Sequence, residues 1–221
     1  MNLGPVAGED GVWELTYIEN FKDYMVPGSA RGVPFLPWSA ALHNYHLKNN
    51  AKYDPGGYCT PLGGPRLFTA PYPMKIIQRP DEKRVYFLFE SHHIWREVFM
   101  DGREHPEQKQ GSSLGHSVGR YEDGGKTLVI DVSGFDEKTW LDFAGHPHTD
   151  QLHVVEKFTR PTKNQLHYEA LIDDPGAYTR AWTVAWNIKW WPGDQLDEYI
   201  CQENNKYIET LKDDFGMPVL R

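Results

Sequence analysis

Cysteine is nearly missing from this sequence: Cys59 and Cys201 are the two among 221 residues. They leave either one long-range bridge, formed in an oxidising compartment, or two buried thiols. Clustered Lys and Arg are missing too. With 23 Lys and Arg against 31 Asp and Glu the formal charge is −8, which repels a phosphate backbone and argues against nucleic acid and membrane as partners. No apolar run reaches the roughly 18–20 residues of a bilayer span, and "MNLGPVAGEDGVWEL" has no basic stretch followed by an apolar one. As written the chain reads as cytoplasmic, or periplasmic if a leader has been removed. There is no N-x-S/T sequon and no nucleotide or flavin fingerprint, so no organic cofactor is expected.

What the sequence does have is rings: 8 Trp, 12 Tyr and 10 Phe. Large rings carry the burial and also line ligand cavities. The length fits a single domain. Residues 1–58 read as a Gly/Pro-rich arm with one short helix at "PWSAALHNYHLKN", where Trp38, Ala41, Leu42 and Tyr45 stand at helical spacing. Residues 74–202 read as a barrel of about eight to ten short strands: "KIIQR", "RVYFLFE", "IWREVFM", "SVGRYE", "TLVIDV", "LHVVEKFTR", "QLHYEALID", "WTVAWNIKW" and "LDEYICQ". Residues 203–216 read as a C-terminal helix. The expected fold is mainly β, an antiparallel up-and-down barrel of lipocalin or calycin type, wide enough for one small ligand.

Side chains alternate along a strand, so charged residues that share the apolar parity point into the barrel. Arg96 shares a face with Ile94 and Val98; Glu156 shares one with Leu152, Val154 and Phe158, and that parity extends back to His148 and His146. Glu198 lies between Leu196 and Ile200, and Glu90 follows Tyr86 and Leu88. "WTVAWNIKW" places Trp182 and Trp186 inward. An inward charge must pair, neutralise or border a wet cavity. The alternatives are a structural Arg–Glu pair and a ligand site.

Three motifs compete for the chemistry. "GHSVG", Gly115–Gly119, matches the nucleophile-elbow pattern of serine hydrolases, but a strand and hairpin follow where that device needs a helix. "DGGKT" is a turn, not a phosphate loop. "GHPH" offers His146 and His148, which with Glu156 compose a zinc-ligand set as the alternative to metal-free acid–base work.

Taken together, "CTPLGGPR", "WREVFMDGREHP", "GHSVGRYEDGGKTLVIDVSGF", "KTWLDFAGHPHTDQLHVVEKF", "IDDPGAYTRAWTV" and "EYICQENNKY" resemble a widespread group of bacterial proteins from soil and freshwater lineages, most without an assigned activity. The resemblance covers about residues 33–205. Its pattern includes Glu90, Trp95, Arg96, Asp101, Gly102, Arg103, Asp142, Gly145, His146, Pro147, His148, Glu156 and both cysteines; His92, His93 and His153 lie outside it. It implies no particular reaction.

These residues point to a lyase or isomerase that moves a proton on a small aromatic or oxygenated metabolite. His146 or His148 is the expected base, Glu156 or Asp142 its partner and Arg96 the oxyanion stabiliser; Glu90, Trp95, Tyr86, Trp182, Trp186 and Glu198 are expected to contact substrate. The other readings are a lipocalin-like carrier and a metal-dependent hydrolase or lyase. A small molecule is the expected partner, with a homo-oligomer left open.

Overall fold

The computed structural model describes residues 3, 10–107, 110–203 and 205. Nine strands close into one barrel in chain order. They are β1 (Gly11–Glu14), β2 (Met74–Arg79), β3 (Arg84–Phe89), β4 (Trp95–Phe99), β5 (His116–Glu122), β6 (Thr127–Ser133), β7 (His153–Thr162), β8 (Gln165–Asp173) and β9 (Trp182–Pro192). The expected barrel is therefore present, an architecture consistent with a lipocalin-like β-barrel, with three differences in its strands from the sequence reading.

First, the arm supplies β1, which pairs antiparallel with both β9 and β2 and closes the ring. Second, β4 and β5 run parallel. An odd-numbered ring cannot alternate direction all the way round, so nine strands require one parallel neighbour pair. The chain between residues 100 and 115 runs back to make it. Third, "LDEYICQ" is not a strand: residues 194–200 have no regular structure. They form a strap fastened by Asp197 N–H to Glu90 Oε2 at 2.8 Å, by Tyr199 N–H to His93 Nε2 at 2.7 Å, and by a Cys59–Cys201 disulfide across 142 residues of sequence. The C-terminal helix expected at 203–216 lies outside the described residues, except at 203 and 205.

The bore is filled by alternate side chains. Trp182, Val184, Trp186, Ile188 and Trp190 of β9 are buried, as are Val154, Glu156 and Phe158 of β7 and Leu166, Tyr168, Ala170 and Ile172 of β8. Phe68, from the 3-10 helix Gly64–Thr69, enters this stack and meets Phe87, Phe89, Phe158 and Tyr168 with ring centroids 4.7–5.8 Å apart. Among the described residues no helix is long and apolar enough to cross a membrane.

The helix α1 (Pro37–Tyr53) starts on Pro37, whose missing N–H is harmless in a first turn, and kinks at Asn49. Its buried face corrects the sequence reading. Ser39, His43 and His46 face inward, while Trp38 is 44% and Tyr45 39% exposed. Two of these polar groups are met, and His43 Nε2 has no partner among the described residues. Ser39 Oγ donates to the Ala177 carbonyl at 2.5 Å, and His46 Nδ1 lies 2.7 Å from the Gly145 carbonyl.

Candidate functional site

Arg96 and Glu156, from β4 and β7, meet inside the bore. Arg96 Nη2 donates to Glu156 Oε2 at 2.5 Å and Arg96 Nε to Ser117 Oγ at 2.9 Å, while Tyr168 Oη donates to Glu156 Oε1 at 2.9 Å. Both charged side chains are at most 3% exposed. Burial and the Glu156 carboxylate push the Tyr168 phenol far up, so it stays a donor. Each oxygen of the carboxylate has a partner, which is how a buried pair is tolerated. Ser117 sits inside a strand that continues as a hairpin through Asp123, Gly124 and Gly125, all at positive φ. The "GHSVG" serine is thus an acceptor for Arg96 and no nucleophile elbow.

The loop between β6 and β7 closes one end of the barrel. Asp142 organises it: Oδ2 accepts from Phe21 N–H and from His146 Nδ1, both at 2.7 Å, and Oδ1 from His146 N–H at 3.1 Å. Burial opposes the Asp142 charge, yet attraction to His146 and these hydrogen bonds hold its pKa below the usual carboxylate value. An ionised carboxylate only accepts, so His146 carries its proton on Nδ1. The His146 ring packs on Phe35, His43 and Trp182, at centroid separations of 5.3, 4.2 and 5.8 Å. It is 1% exposed. Burial, then the neighbouring His146, pushes His43 down to about 4. Gly145, at φ +84°, explains the glycine of "GHPH": a Cβ there would stand 2.6 Å from His46 Cβ.

On the outer side of this loop lies a cleft of about 580 Å³, lined by Trp38, Leu42, His46, Thr139, Trp140 and His148, with Glu137 and Asp150 among its acidic residues. Two imidazoles line it. His46 is stacked on Trp140 at 4.2 Å and points Nδ1 at the Gly145 carbonyl. His148 points Nδ1 at the Thr149 carbonyl, 3.1 Å away, and Nε2 at Thr139 Oγ1, also 3.1 Å. A carbonyl only accepts, so in both rings the proton sits on Nδ1 and the lone pair on Nε2. Burial lowers both pKa values; the backbone carbonyls act in the opposite direction. Asp174 anchors the carbonyl-bearing residue, accepting from Thr149 N–H at 2.7 Å and Thr149 Oγ1 at 2.6 Å. Tyr178 Oη holds the Pro147 carbonyl at 2.7 Å.

The expected site residues are therefore distributed over several places. His148 lines the cleft; His146 and Asp142 form the sealed pair behind it; Arg96 and Glu156 form a separate pair in the bore. Trp182 lies under His146, and Trp186 packs deeper, against Phe21 and Tyr168. Four expected substrate contacts point elsewhere. The buried parity of β3 is Val85, Phe87 and Phe89, so Tyr86 and Glu90 face outward. Trp95 is 59% exposed on the outer wall. Glu198 lies exposed on the strap. The ligand set His146, His148 and Glu156 is not assembled, since Glu156 is engaged by Arg96 and Tyr168; among the described residues no three His, Cys, Asp or Glu are grouped to hold a metal. Sequence reasoning missed His43, His46, Thr139 and Trp140. The i, i+3 spacing of His43 and His46 was the one available signal, and the apolar residues beside them masked it.

No protein-family model, no curated protein and no solved structure matches the chain.

Proposed function

We propose that the chain is a lyase or isomerase working without an organic cofactor, and that it moves a proton on a small, neutral aromatic or oxygenated metabolite held in the cleft at the closed end of the barrel. The observation that supports this reading is the pair His46 and His148: two imidazoles from different elements, lining one cleft, each fixed with Nδ1 protonated. Lowered pKa values keep both in the base form at neutral pH. His148 takes a proton from a substrate carbon onto Nε2, in the place of the Thr139 hydroxyl. The C–H electron pair moves into an adjacent carbonyl or expels a leaving group from the next carbon. The imidazolium then returns the proton to a second carbon, giving an isomer, or to the leaving group, completing an elimination. His46, in the lining of the same cleft, supplies a second base. Trp38, Leu42 and Trp140 offer ring-sized apolar walls, and Glu137 and Asp150 disfavour an anion. Arg96 and Glu156 take no part, and Asp142 with His146 positions the loop.

Deuterium exchange tests the proposal without foreknowledge of the product. In D2O, a panel of neutral aryl ketones and hydroxy-carbonyl compounds is followed by proton NMR with the full chain. At least one compound is expected to exchange its acidic C–H, with the rate falling about 100-fold or more in His148→Ala. No exchange by the wild type, or equal exchange by a folded His148→Ala protein, contradicts the proposal.

A further inference from the structure

A second cleft, of about 330 Å³, has Phe143 of the same barrel-end loop in its lining and shares no lining residue with the first. Five rings contribute to its walls: Tyr17, Tyr72, His92, Phe143 and Tyr199. Tyr199 comes from the strap, with its ring centroid 5.0 Å from Tyr72 and 5.2 Å from His92. Arg66 is also in the lining and is 1% exposed. Its guanidinium carbon stands 4.2 Å from the Phe143 ring centroid, and Nη2 donates to Asp54 Oδ2 at 2.6 Å. Its Nε–H is buried and has no partner among the described residues. A buried charged donor left without an acceptor is costly, and such groups call for a ligand or a water. The cradle around it is specifically shaped. A Cβ on Gly56 would meet Leu62 at 2.9 Å and Arg66 Nη2 at 3.5 Å. His92 and His93 are both held at positive φ, 59° and 48°. Strained backbone of this kind persists only where its surroundings enforce it, often at ligand sites.

The geometry points to this cleft as a binding site for a neutral planar aromatic compound whose carbonyl oxygen meets the Arg66 guanidinium in the cleft wall. The rings supply stacking surfaces for a planar partner. A cavity of 150 Å³ holds a benzene, so this one has room for one or two rings. Charge selects against the free acid, because Asp54 already offsets Arg66. Burial first, and then the Glu19 carboxylate, raises the Tyr17 phenol pKa. Burial and Tyr72 raise the Tyr199 phenol in the same direction, so the phenols stay protonated as donors. None of this depends on the proton-transfer reading of the other cleft.

The test is a ligand-observed NMR titration of the full chain, disulfide intact, with acetophenone and with benzoate. Acetophenone is expected to bind saturably, with benzoate at least tenfold weaker. Tyr199→Ala, on a segment without regular structure, should keep the fold by circular dichroism and weaken acetophenone at least fivefold. Arg66→Met should do so too, if it folds. His148→Ala should leave the affinity unchanged. Three results overturn the inference: no saturable binding of acetophenone, equal binding of benzoate, or acetophenone binding that a folded Tyr199→Ala protein keeps undiminished.

Discussion

Removing the Glu156 carboxylate leaves the Arg96 guanidinium buried at 3% exposure with Ser117 and an amide for company. Breaking a buried pair from one side typically costs about 3–5 kcal/mol, so Glu156→Gln is expected to lower stability by roughly 3 kcal/mol. The double replacement Arg96→Met with Glu156→Leu, which takes away both charges, should recover most of that loss; urea unfolding of the three proteins checks both statements. A second residue-scale expectation concerns Gly145. Ala there meets His46 and must adopt φ +84°, so Gly145→Ala should cost on the order of 2 kcal/mol and slow any turnover by displacing His46. At this scale the sequence was informative where strand parity was clean. Arg96, Glu156, Trp182 and Trp186 all point inward as their neighbours implied. Tyr86 and Glu90 do not, because β3 carries large apolar side chains on both parities, and a one-residue choice of phase turns every side chain over.

Elements show where local pattern ran out. In α1 the apolar residues Trp38 and Tyr45 lie outside and the histidines lie inside, an inversion fixed by carbonyls of Gly145 and Ala177 that belong to distant loops. Nothing within the helix announces such partners. The strap has the same character: "LDEYICQ" alternates like a strand, yet its backbone donors go to Glu90 and His93 and not to a neighbouring strand. The closing role of Gly11–Glu14 was equally invisible, since four residues carry too little periodicity to separate a strand from an arm. The bridge left open by the sequence is formed between Cys59 and Cys201. A loop of this length is worth about 4–5 kcal/mol in the chain-entropy picture, so reduction should lower the melting temperature by roughly 8–20 °C. Mass spectrometry without reductant should find two hydrogens fewer than in the reduced chain.

At the scale of the whole molecule the barrel was legible because alternation and short turns repeat along about 120 residues, where single errors cancel. Its acid response also belongs here. His43, His46, His92 and His148 all have pKa values lowered chiefly by burial, His43 to about 4. Between those folded values and the unfolded value near 6.5 the unfolded chain binds more protons, so stability is complete above about pH 6.5 and falls as the pH drops through the window. Asp142, lowered below 3.8, adds a further loss below that window, as the pH falls under about 3.8. Melting temperatures should accordingly hold down to about pH 6.5 and decline from there to pH 5, with a shallower decline in His43→Phe.

The most direct test of a two-imidazole site is nitrogen-15 NMR of the histidine rings across a pH series, with assignment by His46→Gln and His148→Gln. Both rings are expected to be neutral at pH 7, to carry the proton on Nδ1, and to titrate below 6.5. If either ring carries its proton on Nε2, or is already charged at pH 7, the lone pair on which the proposed chemistry depends is absent and that site is not the one.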